Sequence, residues 1–275
     1  MSTFDAPINL KNWEEIHDLK MQGWIYRGQE DTSWALETSL QRACEKWNIP
    51  LTKAREVEKY VTREFQRRLH HYTGQLPSKD AHIEWLSLMQ HYGAPTRLLD
   101  FSYSIYAATY FALEKATKDC LVWAIDGRWV VEKTKEKYDS PDIKQLLHDP
   151  ITEELEQKFG KVLFEDPKPF VLTINPFKLN ERLTIQKGVF MCTGDVTKSF
   201  EDNLKSFDGY KKRIKKFLIP RRLRLEFLQR LYDINITHAT LFPGLAGFAH
   251  SLSILPPSLL MEGPLLNLAT KTISK

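Results

Sequence analysis

A chain of 275 residues, 42% hydrophobic and 27% charged, has room for one large or two ordinary domains around a sizeable core. It contains no apolar run of about 18 residues that would read as a membrane span. Its N-terminus lacks the basic-then-apolar layout of a secretory signal. Three scattered cysteines, Cys44, Cys120 and Cys192, fit neither a disulfide framework nor a paired zinc spacing, so a cytoplasmic location is expected. The net charge of +4 is too mild to assign a nucleic-acid partner by itself.

In chain order, Asn12–Met21 reads as a short helix stopped by Gly23, and Trp24-Ile25-Tyr26 as a strand delivering Arg27 and Gly28 at its end. Ser39–Trp47 predicts a helix. A long amphipathic helix follows from a Thr52 cap to about Tyr72, with Val57, Tyr60, Val61, Phe65 and Leu69 expected on its buried side. Lys79–Tyr92 predicts a third helix, ended by Gly93 and Pro95. Thr96–Phe101 is then a strand, and Ser104 caps an Ala-rich helix, Ile105–Ala116, whose small residues suit close approach to a sheet.

Cys120–Ile125 is continuously apolar and predicts a buried strand. Two short helices should start at Ser140-Pro141 and Thr152, followed by a loop over Gly160–Pro169. Phe170–Ile174, Arg182–Gln186, Val189–Cys192 and Ile214–Ile219 read as strands, and Pro220 opens a helix to about Tyr232. The order of elements predicts an α+β fold, with a helical N-terminal half packed on a mixed, mainly antiparallel sheet. One domain over residues 1–255 and a C-terminal tail over 256–275 are expected.

The chain lacks the glycine-rich phosphate loop, the dinucleotide fingerprint, the HExxH zinc motif and the GxSxG elbow. His70 and His71 are adjacent and the other histidines are scattered, so no metal site is expected. Basic residues concentrate in Tyr210–Arg224, where Lys211, Lys212, Arg213, Lys215, Lys216, Arg221 and Arg222 either contact phosphates or form a solvated face. The densest conflict of signals lies in His91–Ala116. There Arg97 and Asp100 interrupt a core-like run, either as a buried ion pair fixing the turn or as part of a site.

Three stretches together resemble the FRG domain family: Ile25-Tyr26-Arg27-Gly28-Gln29 with Trp34, Ser39 and Arg42; Gln90–Phe101 with its Ala-rich helix; and Arg182…Gln186-Lys187-Gly188-Val189-Phe190, closed by Leu241-Phe242-Pro243-Gly244-Leu245. Members of that family occur in bacteria and their viruses, frequently in defence or toxin-like settings. The chain is also similar to ADP-ribosyltransferases, whose first core strand ends in an aromatic-Arg-Gly sequence and whose second carries hydroxyl residues before a helix.

This second resemblance implies an ADP-ribosyltransferase-like fold and an NAD-dependent transferase or NAD glycohydrolase, with Arg27, Ser102 and Gln186 as its catalytic residues. NAD would lie against Arg27, Gly28, Thr96, Ser102, Ser104, Tyr106 and Tyr110, with a protein or nucleic acid as acceptor. Gln186 stands where the enzymes carry a glutamate. A neutral amide cannot offer charge to an oxocarbenium-like transition state, so Asp100 or Glu165 would have to serve. The alternative is a non-enzymatic module that keeps the pocket to recognise a nucleotide, nucleic acid or protein.

Overall fold

The structure, a computed structural model, describes residues 4–138, 141–148, 152–164 and 167–253. The chain runs β1 (Ile8–Asn9), α1 (Glu14–Asp18), β2 (Trp24–Gln29), α2 (Ser39–Lys46), α3 (Ala54–Leu69), α4 (His82–His91), β3 (Leu98–Ser102), α5 (Ile105–Leu113), β4 (Cys120–Asp126), α6 (Gly127–Lys137) and α7 (Pro141–His148). It continues through α8 (Glu153–Phe164), β5 (Val171–Ile174), α9 (Glu181–Ile185), β6 (Gly188–Thr193), α10 (Phe200–Lys205), α11 (Tyr210–Arg213), β7 (Ile214–Ile219), α12 (Arg224–Asp233), α13 (His238–Leu241) and α14 (Leu245–Ser251). Among these residues no helix is long and apolar enough to cross a membrane.

The strands form one mixed sheet in the order β1-β7-β4-β2-β3-β6-β5, antiparallel except for the β1–β7 pair. The expected α+β class is therefore the observed one. Every residue of β4 is buried, and its apolar run Cys120–Ile125 suits a central strand covered on both faces. Alternation divides the side chains between two cores: Ile25, Trp123 and Ile125 join one, while Tyr26, Val122 and Ala124 join the other. The second core is closed by α5, whose alanines lie directly over β2. A Cβ on Gly28 would come 2.0 Å from the Ala108 carbonyl oxygen and 2.5 Å from the Ala112 nitrogen. The glycine of the Arg-Gly pair thus lets a helix backbone cross a strand.

Several expectations change. Arg182–Gln186 is not a strand: the Asn180 side chain accepts from the Leu183 N–H and caps α9, which Gln186 ends. Gly160–Pro169 is not wholly a loop, because α8 continues through Phe164. On α3 Leu69 is buried and Val57 packs against the core as expected, with Val61 and Phe65 half-buried, whereas Tyr60 is 66% exposed and the deepest positions also include Ala54 and Glu58. The basic run is divided among α11, β7, a 3-10 turn at Arg221–Leu223 and the start of α12. Along β7 alternation sends Lys215 over the Trp24 ring and Lys216 over the Trp123 ring. Glu165, Ser140 and the expected tail lie outside the described residues.

Candidate functional site

β2 pairs with β4 over its whole length but with β3 only through Tyr26 and Ser102. Past that register the two strands part, and a cavity of about 350 Å³ opens against the gap. That volume suits a small ligand. Its walls come from β2, β3, α4, α5, α9 and the segment after α13. Arg27 sits at the split, and its Nη1 donates to the main-chain carbonyl of Asp100 at 2.7 Å, a group left without a strand partner on that side.

Two guanidiniums face this cavity without a carboxylate partner among the described residues. Arg27 has only the Asp100 carbonyl, and its Nε is buried with no acceptor. Burial lowers its pKa, Asp100 partly offsets that, and Arg42 adds to it. Arg182, on α9, lies over the Phe242 ring at 4.3 Å. Burial lowers its pKa too, against the pull of Asp100 and Glu114. A half-dehydrated guanidinium with unused donors is stabilised by an incoming anion, and two of them suit a polyanion.

Around the arginines are polar groups already held in place. Gln90 Nε2 donates to Asp100 Oδ2 at 2.7 Å, while Gln90 Oε1 accepts from Thr96 Oγ1 at 2.6 Å. Burial raises the carboxyl pKa of Glu30, with Lys115 opposing and Glu114 adding to the rise. His91 is pushed down by burial and by Arg182, which favours the neutral imidazole. Trp34 lines the pocket while 53% exposed, leaving an indole face open to a planar ligand.

Of the residues expected to bind or react, Arg27, Gly28, Ser102 and Gln186 line the cavity, and Thr96, Ser104, Tyr106 and Tyr110 do not. The Thr96 hydroxyl is buried on Gln90, Ser104 caps α5, and Tyr106 bonds His17 Nδ1 at 2.7 Å. Tyr110 donates to Glu114 Oε1 at 3.1 Å. Ser102 and Gln186 do meet, but their groups are occupied. Ser102 Oγ donates to the Gln186 carbonyl at 2.7 Å and accepts from the Ser104 N–H, while Gln186 Nε2 donates to the Leu241 carbonyl at 2.9 Å.

Arg97 and Asp100 are not an ion pair. Asp100 is exposed in the pocket. Arg97 is buried on Glu58, with Nε donating to Oε1 at 2.7 Å and Nη2 to Oε2, and its Nη1 reaches the carbonyls of Leu163, Thr193 and Gly194. Burial alone would lower its pKa, and Glu58 overrides that and raises it.

In the sequence Arg182 and Trp34 stand within the motifs with no role marked for them, and Glu30 stands in a polar loop. Nothing local marked Glu114, whose Oε1 meets His238 Nδ1 across 124 positions. Residues 22–120, from just ahead of β2 to the first residue of β4, match the FRG domain. No curated protein and no solved structure matches the chain.

Proposed function

We propose that this cavity binds a nucleotide of the NAD type, with Arg27 and Arg182 on the diphosphate and Trp34 against a base or nicotinamide ring. The observation that carries the reading is the pair of guanidiniums facing one pocket without carboxylate partners. ADP-ribosyl transfer or NAD hydrolysis then requires a carboxylate beside the ribose, since cleaving the glycosidic bond develops positive charge there. Ser102 and Gln186 are neutral, and their polar groups are engaged besides, so that part falls to Asp100 or Glu30, which line the same cavity. A toxin or antiviral defence role would follow from such an activity acting on a protein or nucleic-acid acceptor.

The same engaged hydroxyl and amide favour a second reading, a pocket that binds the nucleotide without breaking it. One experiment separates the two. NAD is titrated calorimetrically into the protein and nicotinamide release is followed in parallel. Binding with release supports the enzyme, and binding without release supports the module. Arg27→Ala and Arg182→Ala should each weaken binding at least about tenfold, the loss of roughly 1.4 kcal/mol expected when a charge-assisted contact goes. Unchanged binding in both variants, or no binding by the parent protein, overturns the assignment.

A further inference from the structure

We propose that Glu114, His238 and His250 form a zinc-binding site at the rim of the pocket. Each offers one ligand atom, and these atoms lie within 4.8 Å of one another. Two imidazoles and one carboxylate make a donor set suited to a divalent first-row metal, zinc above all. A tetrahedral zinc with bonds of about 2 Å holds its ligands roughly 3.3 Å apart, so small side-chain rotations complete the site.

The surrounding structure places these groups deliberately. Thr237 and Thr240 form a reciprocal cap that fixes the start of α13, where His238 is the first helical residue. The His238 ring stacks on Phe242, with centroids 4.3 Å apart and planes at 15°. Gly247 then brings α14 against the same turn: a Cβ there would lie 1.8 Å from the Phe242 carbonyl oxygen. That approach sets the His250 ring 4.4 Å from His238.

On the carboxylate side, Tyr110 donates to Glu114 Oε1 at 3.1 Å, the kind of outer contact that orients a ligating carboxylate. Arg224 beside it is tied to the carbonyls of Leu113 and Glu114. Three protein ligands leave a fourth position for water or a substrate oxygen, and Glu114 and Phe242 both border the cavity. The inference does not depend on nucleotide binding.

The test titrates Zn2+ into the metal-stripped full chain by calorimetry, and repeats it with Co2+ while recording the visible spectrum. One equivalent should bind, and Co2+ should give the intense visible bands of a low-coordinate site. His250 is exposed, so His250→Ala leaves the Glu114–His238 contact and the fold in place. It should weaken Zn2+ binding at least tenfold and remove the Co2+ bands. Glu114→Gln should do the same. The His70→Ala/His71→Ala double variant removes the adjacent pair at the end of α3, whose rings are 4.0 Å apart, and should bind like the parent. Absence of stoichiometric binding, binding that survives His250→Ala unchanged, or binding lost in the His70/His71 variant overturns the proposal.

Discussion

The buried contact between Arg97 and Glu58 shows what a single charged residue imposes on its surroundings. Both side chains are 1% exposed, and the guanidinium also ties strand β3 to the carbonyls of Leu163, Thr193 and Gly194. Removing one partner strands a charge in the core, so Arg97→Met or Glu58→Gln should each cost about 3–5 kcal/mol in denaturant unfolding. Arg97→Met/Glu58→Leu together should recover much of that loss; a double variant as unstable as the sum of the singles would contradict this account. At the surface Asp31 behaves differently. Lys118 at 2.6 Å, then Ser33, hold its carboxyl down at about 2. A depressed folded-state pKa stabilises above the unfolded value and loses that effect on acidification. The stability gap between the parent and Asp31→Asn should therefore be constant above about pH 4 and close toward about pH 2, as unfolding curves at stepped pH would show.

At the level of elements, the crossing of α5 over β2 is a tight joint beside the cavity. Gly28→Ala places a methyl group against helix backbone rather than against a side chain that could swing away. The expected loss is about 1–3 kcal/mol or more, together with weaker NAD binding as β2 shifts; full stability in the variant would mean that α5 yields easily. The elements also show which features were legible in the sequence. β4 was readable because six apolar residues in a row, Cys120–Ile125, suit a strand covered on both faces, and α5 because Ser104 and the alanines mark both its start and its role. α9 was missed because Thr184 and Ile185 suggest a strand, while the deciding signal was the Asn180 cap one residue before the helix. The burial of Glu58 on α3 was not legible because it meets Arg97, a requirement 39 residues away. The placing of Arg27 and Gly28 at the end of a strand, where they line the cavity, was legible. The parting of β2 and β3 was not, since it depends on which strands each one leaves.

For the whole molecule, the thiols report how completely the core is closed. Cys44, Cys120 and Cys192 are all buried and free. Burial is the main reason the Cys120 and Cys192 thiols are pushed up to about 12, and it raises that of Cys44 as well. Raised thiol values keep the unreactive form at neutral pH, so an aromatic disulfide reagent should label none of the three in the native protein and all three in denaturant. Rapid labelling of any one under native conditions would reveal an opening of the fold around it.

The way the sheet is wired bears on what any fragment could do. The segment matching the FRG domain supplies β2 and β3, yet the strands that flank that pair, β4 and β6, lie almost entirely or entirely beyond residue 120. Cut there, β3 would lose its ladder with β6 and β2 its ladder with β4, exposing two rows of unpaired main-chain donors and acceptors, a template for sticking to other chains. The recognisable signature is thus half of a clasp. The arginine opposite it, Arg182, comes from beyond the matched segment, so the signature by itself encloses only one side of the cavity.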